Sequence, residues 1–146
     1  MTTDEILELY SGDARIDPID LGNEALKITK LFEKYIRIHA IENRELRKLE
    51  SRYKQLYNLK CEWYMGTLNG TEELTKLGWE PQRKATLKPD LQRVVEADRD
   101  VIKLTEMIGE QKDKVQLLKD IVKEVKDRSF NIARAVEVMK FNAGAM

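Results

Sequence analysis

Apolar side chains recur in steps of four and three along two long stretches of the chain. The first reads Leu21, Ala25, Ile28, Phe32, Tyr35, His39, Glu42, Leu46, Leu49, Tyr53, Leu56, Lys60, Trp63. Ten of these thirteen positions are apolar or aromatic. That spacing is a heptad seam, a stripe along one side of a helix that faces another helix. Leu31, Ile38 and Ile41 widen the stripe in its first half, no proline falls between Leu21 and Met65, and Gly22 stands at the start. The pattern predicts one helix over 21–65. About 44 helical residues span about 66 Å at 1.5 Å per residue. Such a helix cannot fold on itself and needs a partner.

The second stretch supplies one. Its stepping gives Val94, Ala97, Val101, Leu104, Ile108, Gln111, Val115, Leu118, Val122, Val125, Ser129, Ile132, Val136, Met139, of which twelve of fourteen are apolar. Asp90 is the expected cap of a helix over 90–128. Gly109, which costs about 1 kcal/mol in a helix interior, is the candidate position for a bend. Around Ser129 the composition changes. Phe130, Ala133, Ala135, Val138 and Phe141 make the last stretch apolar on several faces, the mark of a helix covered by other helices or other chains. A joint is expected near Arg128–Ser129. Beyond it, 129–146 reads as an assembly segment, with Phe130, Ile132, Val136 and Met139 as the oligomerisation contacts. The alternative is that this segment packs back onto the first long helix of its own chain.

The remaining segments are short. In 1–20, Thr3 is a candidate cap for a turn carrying Ile6, Leu7 and Leu9, Gly12 its end, and Ser11 to Pro18 a linker. In the connection 66–89, Thr71 is a candidate cap for a short helix that Gly78 stops, and Trp79 to Pro89 reads as an extended basic loop. Asn69-Gly70-Thr71 fits a glycosylation sequon but reads as a turn. The expected fold class is all-α. It is a single helical domain over 1–146, built as a long antiparallel hairpin with a short N-terminal helix and an apolar C-terminal oligomerisation helix.

Composition agrees. Charged residues make up 36% of the chain, against about 25% in an ordinary globular domain, which suits long exposed helices. Net charge is zero, but its distribution is uneven. Residues 1–29 hold two basic and seven acidic groups, whereas 30–60 hold nine basic and four acidic. One cysteine, Cys61, cannot form an intramolecular disulfide, so a reducing compartment is expected. No apolar run approaches the ~20 residues of a membrane span, and the acidic start Met1 to Glu5 does not read as a signal peptide.

Catalytic patterns are missing. One histidine, His39, lies within the seam with no second ligand at metal spacing, so no metal and no cofactor are expected. No phosphate-cradling GxxxxGK[ST] loop, dinucleotide turn or nucleophile motif is present. Asp98 and Asp100, two residues apart on a helix, are expected to point away from each other. No catalytic residue is assigned, and the reading is a binding protein, not an enzyme.

Binding chemistry is present. The stretch Arg52 to Tyr64 interleaves cations with aromatic rings, and the following loop adds Trp79, Arg83, Lys84 and Lys88. Cations neutralise phosphates, and aromatic rings stack on unpaired bases at about 1–3 kcal/mol per base. A duplex hides its base faces, so the mixture favours single strands. Tyr53 and Trp63 lie on the seam, where packing alone accounts for them, while Tyr57, Tyr64 and Trp79 are freer. A purely structural coiled-coil adaptor or scaffold protein is the competing reading.

Several motifs also carry a family resemblance. These are Ala97-Asp98-Arg99-Asp100-Val101-Ile102-Lys103 with Val94 and Val95 before it, Lys126 to Ile132, and Met139 to Gly144. Upstream, Ile16-Asp17, Glu24-Ala25, Lys34, His39 and Glu45-Leu46-Arg47 with Glu50 fall into register. Over nearly its whole length the chain resembles the UvsY family of phage recombination mediators. The resemblance implies a protein that binds single-stranded DNA and single-strand-binding protein, and that helps a RecA-like recombinase displace that coat. It implies a ring-like homo-oligomer of six or seven subunits without catalytic activity, in the cytoplasm of the infected host cell. The family's DNA-binding segment, Leu-Lys-Ala-Arg-Leu-Asp-Tyr-Tyr-x-Gly, corresponds to Tyr57 through Gly66. Lys60 stands at the family's arginine, and Asn58 replaces its lysine. Lys54, one turn before Asn58, is placed to supply that charge. The expected DNA-binding set is Arg52, Lys54, Tyr57, Asn58, Lys60, Tyr64, Arg83, Lys84 and Lys88.

Overall fold

The first helix begins one residue earlier than the sequence suggests. The Thr2 hydroxyl accepts from the Glu5 N–H at 3.1 Å, and the Glu5 carboxylate accepts from the Thr2 N–H at 3.0 Å. This reciprocal capping box satisfies two otherwise orphaned donors. The computed structural model describes residues 1–68 and 70–144. The turn expected at Asn69 and the last two residues of the assembly segment lie outside them. The elements are α1 (Thr3–Asp13), α2 (Leu21–Leu26), α3 (Ile28–Met65), α4 (Thr71–Leu77), α5 (Lys88–Glu96) and α6 (Arg99–Gly144). Among the described residues there is no strand, and no helix is long and apolar enough to cross a membrane. The fold class is all-α, as expected.

The joints fall elsewhere than expected. The helix over 21–65 is interrupted at Lys27, whose N–H turns back to the Asn23 carbonyl at 3.1 Å. The helix over 90–128 starts instead at Lys88, with Pro89 in its first turn, where a missing N–H costs nothing. It then stops at Glu96, and α6 begins at Arg99. Asp98 makes that break. Its Oδ1 accepts from the N–H groups of Asp100 at 2.9 Å and Val101 at 3.3 Å, capping a new helix. No joint exists at Arg128–Ser129. α6 runs through it, and the Ser129 hydroxyl donates to the Lys126 carbonyl at 3.3 Å, so it stays satisfied within the helix.

The chain forms two compact units, Met1–Arg44 with Lys112–Met146, and Glu45–Gln111. In the first, α1 lies on the α3–α6 pair. Ile6, Tyr35, Leu118, Ile121 and Val125 form the core, with Leu9, Tyr10, Phe32 and Ile38 packed around it. Fully burying an aliphatic side chain is worth about 1.5–3 kcal/mol, so this cluster anchors the unit. The Tyr10 ring meets Tyr35 edge-on, with centroids 5.6 Å apart. The Lys126 ammonium of α6 lies 5.5 Å from the Phe32 ring of α3, and Glu42 on α3 pairs with Lys114 on α6 at 3.6 Å, so the helices run antiparallel here.

In the second unit, Leu74 of α4, Val95 of α5 and Val101 and Leu104 of α6 are buried. Gly66 ends α3 at φ 82° and Gly78 ends α4 at φ 73°, a left-handed conformation in which a Cβ would be strained. The end of α3 meets the start of α6 through Lys60, Tyr64 and Asp98. Here too the pair is antiparallel.

Candidate nucleic-acid interface

The candidate interface lies in the second unit, where the last turns of α3, the loop between α4 and α5, and the cap of α6 come together. The loop is held through its own backbone groups. The Trp63 indole N–H donates to the Glu80 carbonyl at 2.7 Å, and the Thr86 N–H donates to the Tyr64 carbonyl at 2.8 Å. Anchored this way, the loop lays Trp79 against Trp63, with ring centroids 5.2 Å apart, while Trp63 also touches Tyr64 at 4.9 Å.

Lys60 sits inside this aromatic group. Its ammonium lies 3.9 Å from the Trp79 centroid and 4.6 Å from that of Trp63. It donates to Asp100 at 2.9 Å and lies 3.3 Å from Asp98. Only 2% of the residue is exposed. The expectation that Lys60 reaches a DNA phosphate is therefore corrected. To do so it would have to give up two carboxylates and two indoles, and removing one partner from a buried ion pair is costly. The expectation for the two aspartates is also corrected. Asp98 lies before the first turn of α6, not on it, so both carboxylates converge on one ammonium.

Asp98 is the junction of the site. Its Oδ1 caps α6, while its Oδ2 accepts from the Tyr64 hydroxyl at 2.6 Å. Burial alone would raise its carboxyl pKa. The Tyr64 hydrogen bond, the Lys60 charge and the Val101 N–H outweigh burial and hold it below the usual value. Burial and the hydrogen bond to Asp98 push the Tyr64 phenol far above its usual range. Tyr64 is thus a fixed neutral donor, not the freer ring expected. Burial and Glu62 raise the Cys61 thiol, which disfavours the reactive thiolate.

A cavity of about 750 Å³ opens beside the indoles, and Lys60, Trp63, Trp79, Arg83, Lys84, Arg99 and Asp100 are among the residues that line it. Three of the expected DNA-binding residues, Lys60, Arg83 and Lys84, thus meet at one place. Arg83 and Lys84 are exposed, as are Arg52, Lys54, Asn58 and Lys88, which stand away from the cavity. Tyr57 is half-buried and leans on Tyr53, with centroids 5.9 Å apart. Arg99 was missed as a site residue. An aspartate immediately before an apolar-periodic run signals a cap, and that signal would have put Arg99 on an exposed first turn.

The expected oligomerisation residues divide. Ile132 is buried within its own chain and Val136 half-buried, so Ile132 belongs to the protomer's interior, whereas Phe130 and Met139 are exposed. Val138 and Phe141 join them, Phe141 at 76% exposure. Among the described residues, no group of three or more His, Cys, Asp or Glu side chains is placed to hold a metal ion.

Known proteins resemble this chain along nearly its whole length. Recombination protein uvsY of Enterobacteria phage T4 is 23% identical over 144 residues, 99% of each chain. Crystal structures of the bacteriophage T4 recombination mediator protein UvsY share the fold. One superposes with a TM-score of 0.84 at 20% identity, over 97% of this chain and 99% of that one. Another gives 0.83 at 22% identity, over 98% of both. The family described as recombination, repair and ssDNA binding protein UvsY matches residues 9–145. The chain belongs to the UvsY family of recombination, repair and single-stranded-DNA-binding proteins.

Proposed function

We propose that this protein is a recombination mediator that binds single-stranded DNA and promotes loading of a RecA-like recombinase in place of single-strand-binding protein. The observation that carries the DNA contact is the cavity where the Trp63–Trp79 pair adjoins the exposed cations Arg83, Lys84 and Arg99. Unpaired bases stack on indoles, and the neighbouring cations neutralise the phosphates between them. Lys60 acts from beneath, holding both rings and tying the loop to α6. Arg52, Lys54 and Lys88, with Tyr57 and Asn58, extend the track. The T4 relative is itself named a recombination mediator, and the family description includes single-stranded DNA.

The protein works as a ring-like homo-oligomer, in the cytoplasm of a phage-infected cell. The end of α6, with Phe130 and Phe141 exposed on one side of the helix and Met139 on the other, is the assembly surface, because a helix apolar on several faces is usually covered by other helices or chains. Catalysis has no part in this function, and ATP hydrolysis belongs to the recombinase.

Binding to a labelled single-stranded oligonucleotide, followed from low to high salt beside a duplex control, tests the proposal. The single strand should bind more tightly, with affinity falling linearly in log–log form. The combined substitution Arg83→Ala, Lys84→Ala and Arg99→Ala should flatten that slope by about 0.7 for each phosphate no longer neutralised. No single-strand binding at low salt would leave the structural adaptor as the working function.

A further inference from the structure

The first unit contains a second cationic cavity, unrelated to the aromatic one. Of about 250 Å³, it lies between the end of α1, the α2–α3 joint and α6. Five cationic side chains line it against two carboxylates. Two of the cations are already engaged. Lys34 donates to Asp13 at 2.6 Å, and Lys27 to Glu24 at 3.1 Å. Asp13 also accepts from the Tyr35 hydroxyl at 2.7 Å. Among the described residues, Arg15, Lys30 and Arg128 have no ion-pair partner.

Arg128 is the decisive group. It is 5% exposed and lines the cavity, yet its buried Nη1 has no hydrogen-bond partner. Asp13 is near enough to feel its charge but not to bond it. A buried guanidinium with an empty donor is unfavourable unless something fills the position. Water would satisfy the donor and leave the charge. An oxyanion would do both. The three free cations come from the α1–α2 linker, α3 and α6 and so approach from different directions. That suits a tetrahedral acceptor with several oxygens better than a planar carboxylate.

We infer that the Arg15–Lys30–Arg128 cavity is a binding site for an oxyanion of the phosphate class. Free phosphate and one phosphodiester of a bound strand share this chemistry. The site stands whether or not the aromatic cavity of the second unit binds DNA.

Calorimetric titration of the full chain with inorganic phosphate, in low-chloride buffer, tests this. One phosphate per protomer should bind. Arg128→Gln should weaken it at least about tenfold, the worth of one charge-assisted hydrogen bond. Because Arg128 is buried, the exposed pair Arg15→Gln with Lys30→Gln provides a second test that leaves the core intact, and it too should weaken phosphate severalfold. Lys119→Gln with Lys123→Gln removes equal charge elsewhere on the same unit and should have no effect. The salt slope for a single-stranded oligonucleotide then distinguishes the source. A slope flattened by about 0.7 in the Arg15/Lys30 variant identifies a strand phosphodiester. An unchanged slope with weakened phosphate identifies the free ion. If the wild-type chain binds no phosphate, or all variants bind it equally, the site does not exist.

Discussion

At the scale of single residues, Asp98 joins three parts of the candidate interface. It caps α6, accepts from Tyr64 and faces Lys60. Asp98→Asn keeps a capping oxygen but removes the charge. Lys60 then has only Asp100, so urea unfolding should show a loss of about 3 kcal/mol, the low end for a broken buried pair. The loss depends on pH. The folded carboxyl titrates below the ordinary 3.8. Its stabilisation is therefore complete above that pH and disappears as pH falls through the lower folded value. The gap between wild type and variant should be widest near neutrality and close in stronger acid. A gap that stays constant down to the acid transition would mean that the Asp98 charge does not support the fold.

Among the helices, α6 offers the clearest contrasts. Gly109 lies in its interior, and an added Cβ there would meet nothing within 4 Å. Gly109→Ala should stabilise the chain by about 1 kcal/mol, read as a higher melting temperature. Further along, Ile132→Asp buries a charge and should cost folding, seen as lost helicity. Phe130→Asp with Phe141→Asp should leave the circular dichroism intact and reduce the oligomer on light scattering. The two stepped seams were legible in the sequence because burial repeats with the heptad. Of the thirteen positions from Leu21 to Trp63, all but Ala25 are buried or half-buried. Even two breaks in the pattern have a meaning, since Glu42 and Lys60 are charged seam residues that α6 supplies with partners. The joints were not legible. A cap such as Asp98 is one side chain choosing backbone N–H groups over solvent, and no periodicity records it. Nor does periodicity separate Ile132 from Phe130, both apolar and two residues apart, because that depends on which face the folded neighbours cover. The candidate site was half legible. Residue types marked the basic and aromatic stretch, but burial of Lys60 depended on a loop that returns from Trp79.

For the whole molecule, the few exposed cations that line each protomer's candidate interface imply weak binding by one protomer alone. Repeating the patch around an assembly raises the effective concentration for each next contact, commonly by about 10²–10⁴ in affinity. The Phe130→Asp, Phe141→Asp protein should accordingly bind a long single strand at least about 100-fold more weakly than wild type in equilibrium titration. A dissociated variant with unchanged affinity would show that one protomer suffices. The indole pair has a further, optical consequence. The chain contains two tryptophans, and both rings lie within this one group, 5.2 Å apart with the Lys60 ammonium against them. All of the protein's tryptophan emission therefore originates at the place where DNA is proposed to bind. The unlabelled protein is its own reporter there: a strand entering the cavity changes the whole signal, while a ligand elsewhere leaves the colour of the emission as it was.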